Sequence, residues 1–234
     1  MHEINHSAQK NRILAALPQA DLDQFFSDLD PVSLSLKQIL YAVGAPFKHV
    51  YFIEQGIASV LTDMADGASI EVGMIGTEGI VGLPALLGGD ISDQKIIVQV
   101  SGVAQRMDAD LCRAAFDGSA AVRRAALRFT ETLLALGGQT AACNRLHSTE
   151  QRFARWLLMA RTRLDSDDIP MTHEFLSTML GVRRTGVTEV AAKLRRAGLI
   201  RYHHGEITIL DREALEATAC ECHLIDHRRL LRLL

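Results

Sequence analysis

From about residue 36 to 108, apolar and polar side chains alternate in short runs broken by glycine, the period-two pattern of half-buried strands. "YFIEQGIASVLTD" shows two such runs with Gly56 between them. "ASVLTDMADGASIEVGMI" carries Asp66-Gly67 between runs, a hairpin signal because glycine accepts positive φ. "QKIIVQVSGVAQRMD" reads as a further β pair punctuated by Ser101-Gly102. Short strands with a turn every ~10 residues predict a small antiparallel barrel or roll. Ahead of it, "RILAALPQADLDQFFSDL" reads as short helices.

Beyond Ala120 the period changes. Val122, Ala126, Phe129, Leu133, Leu136, Thr140 and Cys143 recur at alternating spacings of four and three, a heptad stripe that predicts a long helix and a dimer seam. From Ser148 the pattern stays helical. Phe153, Trp156, Leu157 and Met159-Ala160 mark one helix, "DSDDIP" reads as a polar loop, and Thr172 is placed to cap "HEFLSTML", which stops at Gly181. In "LGVRRTGVTEVAAKLRRAGLI", Val187, Val190, Ala191 and Leu194 make one apolar face. The opposite face holds Arg183, Arg184, Thr185, Thr188, Glu189 and Lys193. Two helices joined by a glycine turn, the second polar on its outer side, form a helix-turn-helix. "GLIRYHHGEITILD" then gives two β runs around His204-Gly205, a wing. Arginines at the start of such a second helix suit the major groove, where one guanidinium bonds O6 and N7 of guanine together. Glu189 suits cytosine N4, and threonine suits a phosphate or a thymine methyl.

Charge sharpens this. Up to Asn144 there are 10 Lys and Arg against 16 Asp and Glu; from Arg145 on there are 15 against 12, so the net −3 hides a basic C-terminal third. That polarity suits a polyanionic partner. No segment reaches the ~18 apolar residues of a membrane span; the longest candidate, "IVGLPALLGG", is broken by Pro84. "MHEINHSAQKNR" lacks the pattern of a secretory signal. The expectation is a cytoplasmic protein. The four cysteines, Cys112, Cys143, Cys220 and Cys222, include no CxxC pair, which speaks against a disulfide framework or zinc ribbon. "CECHLIDH" places Cys220, Cys222, His223 and His227 close together, but reduced thiols and surface histidines are the expectation, and no metal site is assigned. No nucleophile–base spacing, phosphate loop or metal quartet is legible, so no enzyme is expected.

At this point the chain resembles the cyclic-AMP receptor protein/Fnr (Crp/Fnr) superfamily of bacterial transcription factors. "ILYAVGAPFKHVYFIEQGIASVLTDMADGASIEV", with Gly44 and Gly56, resembles the family's cyclic-nucleotide-binding barrel, and "EGIVGLPALLG" its phosphate-binding cassette. "NRLHSTEQRFARWLL" resembles the end of its dimerisation helix and hinge, and "THEFLSTMLGVRRTGVTEVAAKLRRAGLI" its helix-turn-helix. The resemblance implies an α+β fold in three parts: a jelly-roll effector barrel with N-terminal helices (1–118), a dimerisation helix (119–147) and a winged helix-turn-helix (148–234). It implies a homodimer on a pseudo-palindromic operator, with double-stranded DNA and RNA polymerase as partners. By position, Arg184 matches the family's guanine-reading arginine. Thr185 stands where many members have glutamate and Glu189 where the cyclic-AMP receptor has arginine, so the operator sequence does not carry over.

The effector cassette departs from the family. Its ribose-binding glutamate and phosphate-binding Arg-Ser or Arg-Thr pair are missing: Gly82 is followed by Leu83-Pro84, and no arginine occurs from Leu83 to Val103. The pocket residues that the resemblance assigns are Gly79, Gly82, Leu83 and Pro84, with Gly138 and Gln139 at the adenine-contacting positions. Arg106 is a candidate to reach inward from the last strand. The resemblance therefore implies an effector other than cyclic AMP, or none. An Fe–S cluster as in Fnr is not expected, since no cysteine precedes Cys112. The rival reading is a cyclic-nucleotide-sensing regulatory subunit whose winged helix contacts a protein partner.

Overall fold

The structure is a computed structural model and describes residues 10–233; residues 1–9, which hold most of the stretch read for a secretory signal, lie outside it. Two short helices, α1 (Arg12–Ala15) and α2 (Gln19–Phe26), precede the strands β1 (Asp30–Leu34), β2 (Ile39–Tyr41), β3 (His49–Asp63), β4 (Ser69–Ile75), β5 (Ile80–Val81) and β6 (Lys95–Asp108). A 3₁₀ turn, Leu83–Leu87, lies between β5 and β6. Then follow α3 (Ala109–Gly118), α4 (Ala120–Leu146), α5 (Thr149–Leu164), β7 (Asp168–Pro170), α6 (His173–Leu180), α7 (Arg184–Arg196), β8 (Ile200–His203), β9 (Glu206–Ile209), α8 (Arg212–Thr218) and α9 (Cys222–Arg232). Among the described residues no helix is long and apolar enough to cross a membrane.

The chain divides into two compact units. One takes the chain up to Ala58 and Ile75–Glu131; the other takes Ser59–Met74 and Thr132–Arg232. The strands run in the order β1-β6-β3-β4, with β2 on β6 and β5 on β3. The path is open and jelly-roll-like, the roll rather than the barrel of the two forms that the glycine spacing predicts. Gly56 and Ser101-Gly102 do not end strands: β3 and β6 run through them for 15 and 14 residues. A Cβ on Gly102 would lie 1.9 Å from the Gln55 carbonyl oxygen, and one on Gly56 would lie 2.5 Å from that of Val100. Both glycines mark a close approach of two backbones, not a turn. The Asp66-Gly67 hairpin does form, closed by the Met64 N–H on the Ala68 carbonyl at 2.8 Å. Buried Asn11 anchors α1: its Oδ1 accepts from Ile13 and Leu14, and its Nδ2 donates to the carbonyls of Ile53 and Gly79.

In the second unit, α5 starts with a capping box between Ser148 and Gln151 and buries Phe153, Leu157 and Leu158. Thr172 caps α6 by accepting from Phe175, and Gly181 ends it in the left-handed conformation that suits glycine. The "DSDDIP" segment, expected as a loop, contributes β7, which pairs with β9 in a three-stranded wing sheet of order β7-β9-β8.

Candidate nucleic-acid interface

Helix α7 is built around Val187, Ala191 and Leu194, which are 0%, 4% and 1% exposed. Arg183, Arg184, Thr185, Thr188, Glu189 and Lys193 are all exposed. Arg183 takes the N-cap position with extended dihedrals and gives no side-chain cap. The first-turn amides are thus left without a side-chain acceptor, at the end where the helix dipole favours an anion. Two of the six side chains are already engaged. The Lys193 ammonium pairs with Glu150 at 2.6 Å, an exposed contact of low worth. Thr188 Oγ1 donates to the Arg184 carbonyl at 3.0 Å and lies 3.3 Å from His173 Nδ1. His173 stacks on Tyr202 of β8 with ring centroids 4.2 Å apart, and so connects α6 to the wing. Burial pushes its pKa down, and the charge of Arg184 adds to this. Neither His173 nor Tyr202 stands out in the sequence, because the stack joins residues on α6 and the wing.

The wing turn is made by His204 and Gly205, both at positive φ, and the Gly205 carbonyl accepts from Met171 at 2.7 Å. On β8, exposed Arg201 donates to Thr208 at 3.4 Å.

The expected dimer seam is spent inside one chain. Val122, Ala126, Phe129, Leu136 and Cys143 are at most 6% exposed, and Leu133 and Thr140 are half-buried. Phe129 fills the space above Gly79, where a Cβ would come within 2.4 Å of its ring. The face of α4 left outward carries Leu127, Glu131, Leu134, Gly138, Ala141 and Arg145, with Leu134 74% exposed. The heptad is present, but its free face is the other one.

In the cassette, Gly82 and Gly88 flank the 3₁₀ turn in left-handed conformations, and Leu83, Ala85 and Leu86 are buried while Pro84 is exposed. Arg113 of α3 donates its Nε to the Ala85 carbonyl at 2.9 Å. Arg106, a candidate to reach inward, instead pairs with exposed Asp30 at 3.1 Å. Gln99 on β6 is fully buried, with no partner for either amide atom. Gly138 is exposed, and Gln139 donates to the Cys222 sulfur at 3.0 Å.

The tail also differs from expectation. His223 is buried, not on the surface, and faces Glu216 and His227. No metal quartet is legible in the sequence spacing, yet the fold gathers Cys143, His147, Cys220 and Cys222 with their ligand atoms all within 4.8 Å of one another.

Residues 151–218 match the family model of the Crp-like helix-turn-helix domain, and residues 31–118 match that of the cyclic nucleotide-binding domain. A comparison with curated proteins found no match. Among solved structures, FixK2 from Bradyrhizobium japonicum superposes with a TM-score of 0.72 at 16% identity, covering 82% of this chain and 98% of that one. A CRP-family transcriptional regulator from Thermus thermophilus gives 0.67 at 23% identity, covering 80% and 96%. The c-di-GMP responsive global regulator CLP of Xanthomonas campestris gives 0.65 at 14%, covering 83% and 100%. A cyclic nucleotide-binding domain followed by a Crp-like helix-turn-helix, on a fold shared with regulators of this type, fixes the family: the chain belongs to the Crp/Fnr superfamily of transcriptional regulators.

Proposed function

We propose that this chain acts as a homodimer that reads a pseudo-palindromic DNA operator with two copies of α7, in the cytoplasm, with RNA polymerase as a further partner. The observation that carries this is the division of α7: its apolar side is buried, while Arg183, Arg184, Thr185, Thr188, Glu189 and Lys193 lie together on the exposed side. Arg184 is assigned to guanine and Glu189 to cytosine. Lys193 exchanges Glu150 for a phosphate. The outward face of α4, through Leu127, Leu134 and Ala141, is the proposed seam, and it sets the two recognition helices about one DNA turn apart, ~34 Å. Residues 1–118 sense an effector other than cyclic AMP, or serve as a ligand-independent scaffold. In support, the cassette packs leucines inward and brings no arginine of its own.

The test is selection from random-sequence DNA followed by titration against salt. A two-fold symmetric consensus is expected, with affinity falling steeply as salt rises. Arg184→Ala is expected to cost ~1–3 kcal/mol and to relax preference at one base of each half-site. A loss equal for all sequences would make Arg184 a phosphate contact. If no consensus emerges and binding does not depend on salt, DNA reading is refuted.

A further inference from the structure

We propose that Cys143, His147, Cys220 and Cys222 form a tetrahedral zinc site that ties the end of α4 to the segment joining α8 and α9. Cys143 lies in the last turn of α4 and His147 just past its end; the His147 N–H donates to the Cys143 carbonyl at 3.1 Å, which keeps the two side chains one turn apart on the same side. Cys220 lies between α8 and α9, and Cys222 is the first residue of α9. All four belong to the second compact unit. The Cys143 and Cys220 sulfurs are 3.5 Å apart, and Cys222 Sγ is 3.7 Å from His147 Nδ1. Four donors around one zinc ion at ~2.3 Å for sulfur and ~2.0 Å for nitrogen stand ~3.5–3.8 Å from one another at the corners of a tetrahedron. The Cys143–Cys220 and Cys222–His147 pairs already have that spacing, and all four ligand atoms lie within 4.8 Å of one another. An iron–sulfur cluster puts several atoms between its thiolates and spreads them farther. A disulfide needs sulfurs at ~2.05 Å, and all four cysteines are free thiols.

The surroundings point the same way. His147 Nε2 lies 3.2 Å from the Glu221 carboxylate. Donating that N–H leaves the Nδ1 lone pair facing Cys222, the carboxylate–histidine–metal arrangement that orients an imidazole ligand. Gln139 donates an N–H to the Cys222 sulfur at 3.0 Å, a contact that steadies a thiolate. Binding Zn²⁺ releases the three thiol protons to solvent and leaves a centre of net charge −1. Three thiolates and one imidazole suit zinc, and four protein ligands leave no open position, as in a structural rather than a catalytic zinc site. The inference does not depend on what α7 binds.

The test is metal analysis of the chain purified under reducing conditions without chelator. One equivalent of zinc per chain is expected. After chelator treatment, Co²⁺ is expected to give the sulfur-to-cobalt charge-transfer band and intense visible bands of a tetrahedral site, saturating at one equivalent. Cys220→Ser with Cys222→Ser, and separately His147→Ala, should abolish or shift those bands. Cys112→Ser, in the other unit, and His223→Ala with His227→Ala should leave them unchanged, which separates this quartet from a site in the tail alone. Circular dichroism checks that each variant folds. A wild-type chain without zinc whose Co²⁺ stays octahedral overturns the proposal. So does iron with acid-labile sulfide, or a Cys143–Cys220 disulfide in protein that takes up no metal.

Discussion

Glu71 is a buried carboxylate that accepts from Ser59 Oγ at 2.6 Å and from Trp156 Nε1 at 3.0 Å. Burial pushes its pKa from 4.5 up to about 7, against those two hydrogen bonds and the charges of Arg163 and Arg155. The folded chain holds this proton more tightly than the unfolded one. Its stabilising contribution is therefore complete below pH 4.5 and is lost as the pH rises through about 7. The whole effect is on the order of 3 kcal/mol. Urea unfolding of wild type and Glu71→Gln across that window should show a pH-dependent difference that flattens above it; parallel curves would mean that Glu71 titrates normally. Gln99 makes the opposite kind of prediction. Both of its amide atoms are buried without a partner, which costs roughly 1–3 kcal/mol. Gln99→Met keeps the volume and should raise the unfolding free energy by about that amount. A loss instead would show that the amide is satisfied in solution by a bound molecule.

At the scale of elements, α4 separates two roles that its heptad leaves merged. Phe129 is 1% exposed and Leu134 is 74% exposed, five residues apart on one helix. Phe129→Ala should cost ~3–5 kcal/mol of stability through the cavity it leaves. Leu134→Asp should leave the unfolding midpoint of the isolated chain nearly unchanged but yield monomers by sedimentation, with operator affinity lost. A dimer that survives Leu134→Asp would place the seam elsewhere. The recognition helix, the caps of the helix before it and the wing turn were legible in the sequence because each rests on local signals: the spacing of Val187, Ala191 and Leu194, Thr172 and Gly181, and His204-Gly205. The face of α4 was not, because a heptad shows that one side is apolar but not whether its own chain or a second copy covers it. Strands β1 and β7 escaped notice because Pro31 and Pro170 argue against strand, and both strands tolerate proline at a sheet edge. The cluster of Cys143, His147, Cys220 and Cys222 was invisible because Cys143 and Cys220 lie 77 positions apart, and only the fold closes that gap.

For the molecule as a whole, the question is what signal reaches the DNA-binding unit, and the chemistry of the cassette argues against cyclic AMP. A cyclic phosphate carries a fixed negative charge, and taking it out of water costs several kcal/mol unless a cation and donors meet it. A guanidinium does this bidentately, but no arginine occurs from Leu83 to Val103. The arginines that come from elsewhere are committed: Arg106 to Asp30, and Arg113 to the Ala85 carbonyl. Leu83, Ala85 and Leu86 turn inward, and Phe129 closes over Gly79. Titration calorimetry with cyclic AMP should therefore give no saturable heat, and operator affinity should be the same with and without it, because a ligand that does not bind cannot couple to DNA. Arg113→Ala, which frees the Ala85 carbonyl without adding a cation, should not create cyclic-AMP binding either. A low-micromolar dissociation constant together with tighter DNA binding would mean that the cassette rearranges to bring Arg113 or Arg106 onto the phosphate, and the effector reading would have to be reversed.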